Sequence, residues 1–251
     1  KKKYELLKTF NNKKVLLLKD KNTQEKIICK NNPLHNREYK NLKLLKNIPN
    51  VSKLVSYENG ILYLEYIEDS LTLKEYIQQN PNISIEDFYN LSFKILHILE
   101  QIHNLGLIHK DLNSDNILYN EKTDHLYIID FGLSSSIKEK VDINISIEEL
   151  KGHIHFISPE QTGRINRDVD FRSDLYSVGI LFYNLLCNKL PFEADDLIGI
   201  VHQHISKQAE NLSNINQNIS NILSDIVLKL LNKEPEDRYQ SIDGLRYDLQ
   251  K

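Results

Sequence analysis

The stretch Leu107–Asn120, LIHKDLNSDNILYN, decides how this chain is to be read. An apolar frame encloses a histidine, a lysine, two aspartates and three asparagines. A local explanation exists, because Asp, Asn and Ser bond their own backbone and favour turns. The competing explanation is that these polar groups are gathered for chemistry. On this stretch alone both stand. What separates them is what else the chain carries, and in what order.

Composition narrows the field. The chain has 251 residues, enough for one large domain or two small lobes sharing a core. Its 40% hydrophobic and 27% charged content is that of an ordinary globular protein. The net charge is -3 and the lysines are spread out, so nucleic acid is not an expected partner. No apolar run reaches bilayer length, nothing resembles a signal peptide, and Lys1–Lys3 is too short a basic run to bind a membrane. Cys29 and Cys187 lie far apart in apolar runs and read as reduced thiols of a cytoplasmic protein. The chain has no methionine, even at its start, which points to a domain excised from something longer.

Outward from the opening stretch, the chain divides near Ile67. Before it, YELLKTF, KVLLLKD and EKIICK read as strands. NREYKNLKLLKNI reads as a helix with Glu38, Leu42 and Leu45 on one face, and Asn59-Gly60 turns a hairpin. After it, helices dominate. Thr72 and Glu75 form a capping box, and a long helix starts at Ser84 and stops at Gly106. SDLYSVGILFYNLLCN is apolar nearly all round and predicts a buried central helix. Three amphipathic helices follow, in DLIGIVHQHI, SNILSDIVLKLLN and SIDGLRYDLQ. The expected class is α+β and bilobal, with a β-rich lobe over 1–67 and a helical lobe over 68–251.

Asp111 and Asn116 stand five residues apart on a turn entering a strand, and Asp130 follows Asn116 by fourteen, closing the next strand. A short hairpin would gather these three oxygen-bearing side chains, a donor set suited to Mg²⁺ shared with substrate phosphates. Lys30, ending a strand of the other lobe, would meet the same phosphates, and an inward-facing Glu38 needs such a cation as partner.

With these residues in place the chain resembles the protein kinase domain. HKDLNSDN is similar to its catalytic loop, DFG at Asp130 is unaltered, Ser158-Pro159-Glu160 matches the close of its activation segment, and IICK its lysine-bearing strand. The stretch from Ile157 to Phe192 resembles the serine/threonine kinase domains that lead large hybrid sensor proteins. The resemblance implies ATP and Mg²⁺ as cofactors, a protein substrate, and further domains in the same chain. It implies Asp111 as catalytic base, Asn116 and Asp130 as metal ligands, and Lys30, paired with Glu38, on the α- and β-phosphates. Val15, Ile28, Glu65 and Ile67 would border the nucleotide. It also implies that Asp174 bonds the backbone at His109 and Lys110, that Glu160 pairs with Arg238, and that His109, Phe131 and Leu42 stack between the lobes.

The chain departs from the family pattern in several places. No glycine precedes Gly60, so TFNNKKV replaces the glycine-rich phosphate loop. Asn11 and Asn12 tolerate a tight turn, and Lys13 or Lys14 would supply charge there, although a plain solvated turn is the simpler reading. Ile28 stands where the family has Ala against adenine, and overpacking of roughly 1–3 kcal/mol would weaken ATP binding. Lys110 replaces an Arg and loses its bidentate fork. Between Gly132 and Glu160 there is neither Thr nor Tyr, only Ser134, Ser135, Ser136, Ser146 and Ser158. His153 and Asn113 also differ from the family, at positions bearing on the acceptor. Only eight residues separate Lys30 from Glu38, which leaves open whether that helix sits in or out.

Three functions fit: an active Ser/Thr protein kinase, a weakly active or inactive kinase-fold scaffold, and a small-molecule phosphotransferase. Retention of Lys30, Glu38, Asp111, Asn116 and Asp130 favours the first. Serine-Pro-Glu, Asp174 and Arg238 count against the third. The histidine pairs His153/His155 and His202/His204 lack the further ligands of a metal site.

Overall fold

The computed structural model describes residues 3–10, 15–31, 35–136 and 154–251. Asn11 to Lys14, Ser146 and His153 therefore lie outside the described residues.

Three strands open the chain, β1 (Tyr4–Phe10), β2 (Val15–Asp20) and β3 (Lys26–Lys30), followed by helix α1 (His35–Leu44). Strands β4 (Leu54–Glu58) and β5 (Ile61–Glu65) complete a five-stranded antiparallel sheet in the order β1-β2-β3-β5-β4. Asn59 and Gly60, both at positive φ (52° and 79°), turn the β4–β5 hairpin as two-residue loops of this kind require. Alternation along β3 buries Ile27 and Cys29 and leaves Lys26, Ile28 and Lys30 half-buried. Lys30 is opposite Val15 and Leu62, and Ile28 is opposite Leu17 and Leu64. Opposed and alternate residues share a face, so Val15, Ile28 and Lys30 lie on one side of the sheet with buried Leu62 and Leu64.

The rest is mostly helical. Strand β6 (Leu71–Thr72) leads into α2 (Leu73–Gln79), whose capping box is the expected Thr72–Glu75 pair. Helix α3 (Ile85–Asn104) is capped by the Ser84 side chain, and Gly106 follows it at φ 74°. Then come β7 (Leu107–Ile108), β8 (Ile117–Asn120), β9 (His125–Ile128) and β10 (Ser135–Ser136). β6, β8 and β9 form one small sheet, and β7 pairs with β10.

Helix α4 (Phe171–Cys187) is the central buried helix, with every residue from Ser173 to Tyr183 out of solvent. It begins earlier than the apolar run suggested, because Asp170 caps it by accepting from the Arg172 N–H. Its Gly179 permits close packing: a Cβ there would stand 2.8 Å from the Leu230 Cβ. Around it lie α5 (Leu197–Ser206), α6 (Leu212–Ile215), α7 (Asn221–Leu230) and α8 (Ile242–Leu249). The four-residue α6 is an element that periodicity did not announce. One continuous apolar cluster joins Leu42, Leu45, Leu62 and Leu64 through Leu112 and Phe131 to α4, so sheet and helices share a core.

Candidate active site

The site is built on the β8–β9 hairpin. Asn116 immediately precedes β8 and Asp130 follows β9, and the Ile129 N–H donates to the Asn116 carbonyl at 2.9 Å. Pairing of the two strands thus brings the two residues to neighbouring ends of the hairpin. Asp111 reaches Asn116 from the loop before β8. Its Oδ1 accepts from Asn113 Nδ2 at 2.9 Å and its Oδ2 from Asn116 Nδ2 at 2.8 Å. A carboxylate only accepts, so both amides must present their NH₂ ends to it. That leaves Oδ1 of Asn116 as its acceptor for other partners.

The loop holds this shape through a buried charge beneath it. Asp174 on α4 accepts the His109 N–H at 2.8 Å, the Lys110 N–H at 2.9 Å, and His103 Nε2 at 2.8 Å. Burial alone would push the Asp174 carboxyl up, but these donors outweigh it and hold the group below the usual carboxylate range. Lys110 (φ 67°) and Asp130 (φ 66°) both adopt the left-handed conformation, the kind of strain that surrounding structure must impose. His109 bonds the Ile129 carbonyl at 3.2 Å and meets the Phe131 ring edge-on at 4.9 Å, with Leu42 buried in the same cluster.

From the sheet comes Lys30. Its Nζ lies 2.7 Å from Glu38 Oε1 and 3.2 Å from Asp130 Oδ1. Helix α1 therefore sits with Glu38 turned in, despite the short link from β3. Burial pulls the Lys30 ammonium down in pKa, but Asp130 and Glu38 more than reverse it, so its proton is held tightly. Burial likewise pushes Asp130 up, and Lys30 beside it brings the carboxyl below its ordinary range. Both are ionised at neutral pH. Asp130 remains 38% exposed and accessible to a ligand. One carboxylate and one amide oxygen, with no sulfur, make a hard donor set that fits Mg²⁺ completed by phosphate oxygens and water.

The other expected residues fall in different places. Val15 and Ile28 share the Lys30 face of the sheet. Glu65 pairs with Ile27, on the opposite face, and its side chain is exposed, so it does not join them there. Ile67, half-buried, follows two residues on. Below the site, Arg238 grips Glu160 with two bonds of 2.8 and 2.9 Å, and Ser173 Oγ donates to the same carboxylate at 2.7 Å. Gln161, unremarked in the sequence, donates to the Lys110 carbonyl at 2.7 Å. Asn41 and His103 also escaped notice, although a lone amide on the buried face of α1 is a signal, since it must find a partner. The His202/His204 pair separates: His202 bonds Ser206 on the surface, while His204 is buried against the Tyr176 hydroxyl at 2.9 Å. Among the described residues no cluster of three His, Cys, Asp or Glu could hold a metal.

A five-stranded sheet over a helical body, with a lysine–glutamate pair meeting an Asp-Phe-Gly segment beside an amide-clamped aspartate, defines the protein kinase class. The chain belongs to that family: the model of the protein kinase domain matches residues 5–247. It is 32% identical to a probable serine/threonine-protein kinase of Clostridium perfringens, over 82% of this chain and 29% of that protein. It is 26% identical to the serine/threonine-protein kinase PrkC of Bacillus subtilis, over 80% of this chain and 31% of that one. Hybrid signal transduction histidine kinase G of Dictyostelium discoideum is 32% identical over 67% of this chain and 7% of its own length. The chain thus spans a third or less of each of these relatives.

Proposed function

We propose that this domain transfers the γ-phosphoryl group of ATP to serine or threonine hydroxyls of a protein. The observation that carries the reading is the meeting of Lys30, held by Glu38 at 2.7 Å, with Asp130 at 3.2 Å, beside an Asp111 clamped by two amides. In this reading Asp111 orients the acceptor hydroxyl and takes its proton on a carboxylate oxygen. Lys30 turns from Asp130 to the α- and β-phosphates, with Glu38 limiting its swing. Asn116 Oδ1 and Asp130 hold Mg²⁺, which when bound neutralises charge on the phosphates. The remainder is positioning and electrostatic stabilisation by preorganised groups. Val15 and Ile28 cover the adenine, and the Glu160–Arg238 pair supports the platform on which a peptide lies. The domain acts in the cytoplasm as part of a longer signalling chain, in keeping with the fraction of its relatives that it spans. No helix among the described residues is long and apolar enough to cross a membrane.

The test is Mg·ATP-dependent phosphorylation of the protein itself or of a generic basic protein, with Asp111→Asn as control. The substitution is expected to lower the rate at least ~10²-fold, the low end for a positioned general base. Equal incorporation by both proteins refutes the reading.

A further inference from the structure

Asn41 lies on α1 one turn beyond Glu38 and is only 6% exposed. Asparagine is a poor residue for a helix interior. Its Nδ2 donates to two backbone carbonyls, those of Phe131 and Ser134, each at 2.9 Å. Carbonyls only accept, so the NH₂ end must be the one that faces them. Ser134 in turn donates through Oγ to the His109 carbonyl at 2.9 Å. Helix α1 is therefore tied to the segment after Asp130 in two ways. One link is charged and runs Glu38–Lys30–Asp130; the other is neutral and runs through Asn41 to backbone.

The two links respond differently to a ligand. Phosphates compete with Asp130 for Lys30, and a cation competes with Lys30 for Asp130. The charged link is the one that turnover takes apart, whereas the bonds of Asn41 involve no group that a nucleotide needs. We infer that Asn41 is a positioning residue, a neutral latch that keeps α1 and residues 131–134 in register while Lys30 and Asp130 exchange partners. The inference rests on the phosphoryl-transfer reading above.

Asn41→Leu keeps the branched heavy-atom skeleton and deletes both donors. Adenine contacts survive in it while the alignment of Asp130 does not. Its kcat is expected to fall at least ~10-fold, with KM for ATP unchanged within about threefold. The extra rise in melting temperature that Mg²⁺ adds to that given by ADP should also disappear. Asn41→Asp has no donor when ionised and one O–H when protonated. Its activity should recover as pH is lowered from about 8 to about 6, a trend wild type does not share. A residue that merely packs would lower the melting temperature of both variants. It would leave kcat per folded molecule, the Mg²⁺ increment and the pH profile unchanged, and that result overturns the latch. If wild type transfers no more phosphate than Asp111→Asn, the phosphoryl-transfer reading falls. The Mg²⁺ increment then still decides the latch, its loss in Asn41→Leu upholding it and its persistence refuting it. A wild type that no nucleotide stabilises refutes both.

Discussion

Two buried ion pairs in this domain are built to opposite plans. Glu160 and Arg238 are closed off, with side chains 2% and 0% exposed. Arg238 spends its remaining donors on the carbonyls of Asn232, Arg172 and Lys233, while Ser173 completes Glu160. Burial pushes the Glu160 carboxyl up, but Arg238 outweighs it and leaves it depressed. Lys30 is less complete: it is 12% exposed and touches Glu38 and an Asp130 that is 38% exposed. The saturated pair has nothing left to offer a ligand and serves as a fastening. The unsaturated one keeps bonds that can be traded.

The largest effect should come from breaking the saturated pair. Arg238→Leu leaves Glu160 charged in a dry site and should destabilise the domain by about 3–5 kcal/mol, read by urea unfolding. Lys30→Met should cost only about 1–2 kcal/mol, because water reaches the 38% exposed Asp130. The same variant should lose all stabilisation by Mg·ATP, an effect that distinguishes the traded bonds from the fastened ones. Equal stability losses in the two variants would erase the contrast.

A third, subtler difference lies in buried groups that stay neutral. His204 has its Nδ1 on Tyr176 and its Nε2 without a partner among the described residues. Burial, with Lys233 nearby, lowers its pKa to about 3. The unfolded chain takes a proton on this ring near its ordinary value, so below that value the unfolded state binds one proton more than the folded state. Stability is thus fully kept above about pH 6.5 and declines as pH falls from there toward 3, by at most about 1.4 kcal/mol per unit. His204→Gln should remove that share of the slope between pH 6.5 and 5, measured by urea unfolding at each pH. An unchanged slope would mean that the folded ring takes up its proton as readily as the unfolded one.

What could be read from sequence was what local chemistry dictates. Thr72 and Ser84 announced their caps, Asn59-Gly60 its turn, and the apolar run after Ser173 its burial. Asp174 was legible for a different reason, since a carboxylate on an apolar helix has to be explained. Asn41 signalled by its place on the buried face that it needs a partner, but not which one, because its partners lie 90 and 93 residues away. Gln161 was missed similarly, with its acceptor 51 residues back. Whether α1 sat in or out depended on the link after Lys30, whose length constrains but does not orient. Ile28 was expected to crowd the nucleotide, and it does share the face of Lys30 with Val15.

The apolar seam from Leu42 through Phe131 into α4 has a consequence for how the molecule can be handled. Severing the chain near Ile67 would strip water-shy surface from both fragments at once, since neither the sheet nor the helices own their interior. The two regions are therefore expected to unfold in one step, and separate transitions for them in a urea titration would contradict it.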